Sequence, residues 1–201
     1  MTKIGPRYRV QFRRKRENKT NYYLRRKLLE SREPRLIIRG SNKHMTAQVI
    51  TAQPEGDRTL AAANTIQLVR DFDWKAGTCN LPAAYLTGLL LGLRAQKKNI
   101  TRAILDVGFH TVVYGSRIFA SLKGVVDSGL QVAHNEIVFP SEERIRGEHI
   151  ARYSELLQES EKEEMEKHEL QFSNYKKRGL SPENVPKHFE QTKKKILAIQ
   201  K

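Results

Sequence analysis

The chain has one cysteine, Cys79, among 201 residues. That excludes an intramolecular disulfide framework and any zinc site built on several cysteines, and makes a reducing compartment the natural setting. Long hydrophobic runs are also missing. The most apolar stretch, Leu86–Leu93, is far shorter than the ~20 residues a membrane span needs, and the N-terminus has no apolar signal core. The expectation is a soluble cytoplasmic protein without cofactor. Phosphate-cradling glycine loops, nucleophile elbows and HExxH spacing do not occur. The histidines (His44, His110, His134, His149, His168, His188) are scattered without an i, i+4 pair, so no metal site is expected.

Acidic residues are scarce in one place only. Residues 1–50 hold 15 Lys/Arg against 3 Asp/Glu, whereas residues 51–201 hold 22 against 19. Nearly all of the +15 net charge therefore sits in the first quarter of the chain, the electrostatic footprint of a polyanion binder. Within it, FRRKRENKTNYY runs from Phe12 to Tyr23. Cations neutralise phosphates and release counterions, and Arg also forks onto phosphate oxygens. Tyr8, Phe12, Tyr22 and Tyr23 add flat faces of the kind that hold unpaired bases. An amphipathic membrane helix would need a clean apolar face, which this arm lacks.

The remaining pattern predicts a small α/β core at residues 34–140, between a basic arm at 1–33 and an α-helical extension at 141–201. Thr20 is a plausible N-cap for a short arm helix over 21–31, closed by Pro34. RLIIR, MTAQVITAQ and RTLAAAN predict a three-stranded meander with Ile37, Val49 and Leu60 on its inner face. Residues 71–80 are expected as a loop. Asn80 then caps a mostly apolar helix to about Lys98, with Pro82 in its first turn and a Gly88-x-x-x-Gly92 face that admits a close neighbour. TRAILDVG reads as a strand, 116–127 as a helix ended by Gly129, and LQVAH as a last strand. Glu148 to about Phe172 reads as one long helix, acidic over 155–169. A final amphipathic helix follows Ser181-Pro182-Glu183 and carries Phe189, Ile196 and Leu197.

Three further groups merit weighing. Gly40-Ser41-Asn42-Lys43-His44 is a donor-rich turn suited to a phosphate or a ribose 2′-hydroxyl, or simply a hairpin turn. Arg117 and Lys123 extend the basic surface or are solvated helix charges. Asp71, Asp73, Asp106 and Asp127 raise an alternative, an α/β RNA-processing nuclease that uses the arm to capture substrate; nothing in their spacing forces it. A general DNA binder lacks a recognisable helix-turn-helix.

Several stretches together resemble a known family. Arg13–Leu28 follows the R-R-R-R-x-G-K-T-D-Y-Y-x-R-x-x-L pattern that opens the large-subunit ribosomal proteins that bind 5S rRNA. AAYLTGLLLGLRA is similar to that family's core helix, GLQVAHNE to its G-L-x-V-P-H segment, and QFSNYKKRGLSPENV to the tail of its archaeal and eukaryotic form. The likeness runs in order along essentially the whole chain. Asn18 replaces the usual Gly, Asn21 the Asp and Ala133 a common Pro, and LDVGFHTVVYGSRIF follows the family's D-x-G-x-x-x-x-G-R segment, which carries Arg117, only loosely. The resemblance implies a small mixed sheet packed by helices, of the ribonuclease-H-like type without catalytic carboxylates. It also implies a non-catalytic role: binding 5S rRNA and attaching it to large-subunit 23S-type rRNA in the central protuberance, beside a second 5S-binding protein. Carried over, the arm contacts are Arg7, Arg9, Phe12, Arg13, Arg14, Lys15, Arg16, Lys19, Thr20, Tyr22, Tyr23, Arg25 and Arg26. The hairpin contacts are Arg39, Asn42, Lys43 and His44.

Overall fold

A computed structural model describes residues 5–159 and 168–198. The arm forms two helices, α1 (Arg13–Arg16) and α2 (Tyr22–Glu30). The meander follows as β1 (Arg35–Gly40), β2 (Met45–Gln53) and β3 (Gly56–Asn64). Then come α3 (Thr65–Phe72), α4 (Leu81–Gln96), β4 (Arg102–Asp106), α5 (Arg117–Asp127) and β5 (Gln131–Val132). The C-terminal part contributes α6 (Glu142–Arg146), α7 (Glu148–Glu159), α8 (Ser173–Lys177) and α9 (Val185–Ala198). The strands make one mixed five-stranded sheet in the order β3-β2-β1-β4-β5. β1 pairs antiparallel with β2 and parallel with β4, with Leu36 opposite both Val49 and Leu105.

Alternation along β1 decides which side of the sheet meets α4. Leu36 and Ile38 are fully buried there, together with Ala47, Val49, Ala61 and Ala63. Ile37 is only half-buried and lines the opposite face, which corrects its expected inward position. The run LII is apolar at every position, so period 2 alone could not fix its parity. Leu60 is half-buried at a bulge, where β2 pairs Val49 with Ala61 but Ile50 with Thr59. The last strand is also shorter than expected, two residues instead of five.

Residues 71–80 are not all loop, because α3 extends to Phe72. Asn64 caps it by accepting from the Ile66 amide at 2.9 Å, and the Gln67 side chain accepts from the Asn64 amide at 3.1 Å. This reciprocal capping is a local sequence signal. Asp73 ends the helix in the left-handed region at φ 57°.

Helix α4 is buried around almost its whole circumference, and the glycines set its distance from α5. A Cβ on Gly88 would lie 1.9 Å from the Ser121 carbonyl oxygen, and one on Gly124 would lie 2.1 Å from that of Tyr85. Each backbone occupies the space the other's side chain would need.

Glu148–Glu159 is helical, as is 168–171, but the two do not form one straight helix. Ser154 Oγ lies 2.9 Å from His168 Nε2, whereas fourteen residues of α-helix span about 21 Å. The middle of the expected acidic helix lies outside the described residues. Helix α9 packs on the core through Val185, Phe189 and Ile196, all essentially inaccessible. Leu197 is 40% exposed, so only part of the expected apolar face is inward. The Phe189 ring sits 5.6 Å from that of Tyr85, and His188 stacks on Trp74 at 5.0 Å and 18°.

The close approach of α4 and α5 makes Gly88 sensitive to substitution. Gly88→Ala should lower stability by about 3 kcal/mol, the upper part of the usual overpacking range, shifting the thermal midpoint by roughly 6–12 °C. Gly5→Ala, with nothing within 4 Å of the added carbon, should leave it unchanged by circular dichroism. Burial, ahead of the charges of Lys195 and Lys75 and against that of Asp73, holds the His188 imidazole below its ordinary value of 6.5. Its unfolded form therefore binds protons that the folded form refuses. Its contribution should be fully present above about pH 6.5 and decline as pH falls below that. His188→Gln should flatten the dependence of the thermal midpoint on pH in that window.

Candidate nucleic-acid interface

The arm is folded against the outer face of the sheet. Asn21, not Thr20, caps α2: its Oδ1 accepts from the Leu24 amide at 3.1 Å. Thr20 instead accepts from Arg14 Nε at 2.8 Å, while the amides of Lys19 and Thr20 donate to the Arg14 carbonyl. Arg14 and Thr20 thus close the turn after α1, which sequence reading did not separate as a helix. Arg13, Lys15 and Arg16 remain exposed on α1. Arg13 and Lys19 lie near Glu17, at 3.7 and 2.8 Å. Phe12 is 74% exposed and lies 5.4 Å from the Tyr22 ring. Tyr8 is open, and Tyr23 is open apart from Lys27 Nζ, 4.6 Å from its centroid. Arg7, Arg9 and Arg26 are exposed, Arg26 within 3.8 Å of Glu30.

The arm is held by a chain of charges that the sequence did not reveal. Arg25 grips Asp57 with two bonds, 3.0 and 2.7 Å. Asp57 also accepts from Arg35 at 2.7 Å, and Arg35 donates to Asp106 at 2.8 Å. Arg39 donates to the other Asp106 oxygen at 3.2 Å and to the Asp106 carbonyl at 2.7 Å. Such forked, charge-assisted pairs fix geometry as well as adding energy. Together these groups line a cleft of about 250 Å³ with Arg14, Lys19, Thr20, Asn21 and Ile37. Its cations are Arg14, Lys19, Arg25, Arg35 and Arg39, and its acids only Asp57 and Asp106. Arg35 and Asp57 were missed because their partners are distant in sequence.

At the far end of β1, the turn Gly40–His44 is closed by the Ser41 amide on the His44 carbonyl at 2.8 Å and the His44 amide on Ser41 Oγ at 2.9 Å. The tip residues Asn42 and Lys43 are exposed, and His44 turns inward to within 3.3 Å of Thr65 Oγ1. Arg39, grouped with this hairpin by sequence, points back to Asp106 instead. Arg117 joins the hairpin side: it donates to the Cys79 carbonyl at 3.0 Å, while the Cys79 thiol donates to the Ser41 carbonyl. Lys123 faces elsewhere, paired with Asp127 at 3.2 Å and 5.3 Å from the Phe139 ring centroid.

The four aspartates of the nuclease alternative do not gather. Asp106 is neutralised by two guanidiniums, and Asp127 accepts from the Tyr85 hydroxyl at 2.8 Å. Burial and then that carboxylate push the Tyr85 phenol well above its ordinary value. Asp71 lies in the last turn of α3 and Asp73 caps it, both exposed. Among the described residues no group of three or more His, Cys, Asp or Glu is placed to hold a metal ion.

The family described as ribosomal large subunit proteins 60S L5 and 50S L18 matches residues 6–102 and 94–135. The large ribosomal subunit protein uL18 of Caldivirga maquilingensis is 52% identical over 191 residues, which is 95% of this chain and 91% of that protein. The protein of the same name from Aeropyrum pernix is 50% identical over 192 residues, or 96% and 88%.

Asp106→Asn should leave the buried Arg35 guanidinium short of a counter-charge and cost about 3–5 kcal/mol. Urea unfolding should show this as a lower midpoint with an unchanged slope.

Proposed function

Because the chain belongs to the family of large-subunit ribosomal proteins 60S L5 and 50S L18, a family of structural ribosomal proteins and not enzymes, we propose that it binds 5S rRNA and attaches it to large-subunit rRNA. It is a structural constituent of the large ribosomal subunit, with ribosomal RNA and neighbouring ribosomal proteins as partners. In the proposed role it sits in the central protuberance, beside the second 5S-binding protein.

One observation carries the RNA-binding reading. Asp57 and Asp106 are taken up by Arg25, Arg35 and Arg39 and Glu17 by Arg13 and Lys19. Lys15 and Arg16 of α1 therefore have no carboxylate partner among the described residues and stand beside the open aromatic pair Phe12 and Tyr22. Cations hold the phosphates and the rings hold unpaired bases, so one surface supplies both requirements of RNA recognition. Of the arm residues, Arg7, Arg9, Arg13, Lys15, Arg16 and Lys19 serve as outward phosphate contacts. Arg14, Thr20 and Arg25 also shape the arm that presents them.

RNA recovered with the protein from a native extract should be 5S rRNA; a different RNA, or none, would overturn the proposal. If about 6–10 phosphates are met, affinity should fall roughly 10³–10⁵-fold between about 50 and 200 mM salt. Arg13→Glu with Arg16→Glu should weaken binding about 10–100-fold without changing the thermal midpoint, since neither side chain is buried.

A further inference from the structure

A second basic cleft lies on the other side of the β1–β2 turn. It has a volume of about 540 Å³ and is formed by the turn tip, the loop after α3 and the C-terminal segment around α8. Its cations are Lys43, Lys75 and Arg178, and no aspartate or glutamate lines it. That is a sharp local imbalance, because residues 51–201 as a whole are nearly neutral. It shares no lining residue with the cleft under the arm. Lys43 and Arg178 have no carboxylate partner among the described residues, and Lys75 only the exposed Asp73 at 3.8 Å.

The walls are fixed from three sides. The Thr78 hydroxyl donates to the Lys43 carbonyl at 2.6 Å, tying the loop to the turn. Arg178 donates to the Ala76 carbonyl at 3.0 Å, and Asn80 Nδ2 to the Tyr175 hydroxyl at 3.4 Å, tying it to the C-terminal segment. Beneath, the Lys75 amide donates to His188 Nε2 at 3.0 Å, and Trp74 Nε1 to the Gly77 carbonyl at 3.0 Å. A ligand here meets walls already in place, so the ordering it demands is confined mainly to the Lys43 and Lys75 side chains.

We propose that this cleft is a second RNA-binding site, which holds the sugar–phosphate backbone of a segment different from the one held by the arm. The inference rests on the RNA-binding function proposed above. Lys43, Lys75 and Arg178 meet phosphates. Asn42 and Asn174 are side-chain amides that both donate and accept, which suits the ribose 2′-hydroxyl. The carboxylates of an acidic peptide accept only, so beside the anion they offer the amide oxygens no donor, whereas each ribose carries a 2′-hydroxyl next to its phosphate. The C-terminal segment is thereby part of the RNA-binding surface.

The test uses the full chain carrying Lys43→Glu and Arg178→Glu with labelled 5S rRNA. Affinity should fall about 10–100-fold, and the salt slope should shrink by about two, roughly 0.9 for each phosphate no longer neutralised. Hydroxyl-radical footprinting should lose protection over nucleotides different from those exposed by Arg13→Glu with Arg16→Glu. Lys43→Gln with Lys75→Gln, a milder pair whose side chains fix no wall of the cleft, should show the same direction with an unchanged thermal midpoint. An unchanged slope and footprint, with the arm variant still defective, would overturn this site and leave the RNA-binding function standing. Exposure of the same nucleotides in both variants would overturn the claim of a separate segment. Undiminished RNA binding together with abolished binding of polyglutamate would overturn it in favour of an acidic protein segment. Failure of the unaltered protein to bind 5S rRNA would overturn the proposed function itself.

Discussion

Arg35 opens β1 and is almost wholly buried, yet its guanidinium spans two carboxylates from different parts of the fold. Asp57 comes from the start of β3 and Asp106 from the end of β4. A buried guanidinium is tolerated only when its charge is balanced, and here Nη1 and Nη2 each meet a carboxylate while the buried Nε has no partner. Both carboxylates must therefore reach it, so the meander, the parallel strand and the first residue of the sheet are set in one arrangement. Arg25 then forks onto both oxygens of Asp57 and brings α2 onto the same site. The arm is thus fastened by the balance of buried charge, with little help from apolar burial, since α2 has no fully buried residue.

Behind the sheet, apolar packing provides the rigidity. The reciprocal fit of Gly88 on Ser121 and Gly124 on Tyr85 leaves α4 and α5 no other separation. Protein interiors transmit such constraints because they are close-packed. The position of Arg117, in the first turn of α5, is set by the same contact, which brings its guanidinium to Cys79 and so to the β1–β2 turn. Helix α9 adds a second support through Trp74 and His188. The basic surfaces are therefore carried on elements fixed from behind.

What could be read from the sequence was what is local. The uneven charge, the N-cap of α4, the Gly88/Gly92 face and the turn after β1 depend on neighbours in the chain and were legible. The side of the sheet that Ile37 faces was not, because three consecutive apolar residues satisfy either parity. Helix α3 was missed although Asn64 and Gln67 marked its start. The Arg35 bridge depends on partners 22 and 71 residues away, and no pattern in a single sequence joins them. The approach of Ser154 to His168 was hidden for another reason: the charged run between them in the sequence has little apolar stripe to mark where its neighbour lies.

The arm's two helices differ in how they are held. Helix α2 is clamped at Arg25, whereas α1 has only four residues, none buried, well below the length at which a helix persists alone. The outer part of the arm is thus tied to the body mainly by its own turn. Under the proposed function, a charged segment held this way widens the distance over which an RNA can first be touched, before the clamped part fixes the register. The consequence of that proposal is kinetic: changes in α1 should act chiefly on how fast the complex forms, and changes at Arg25 or Asp57 on how long it lasts.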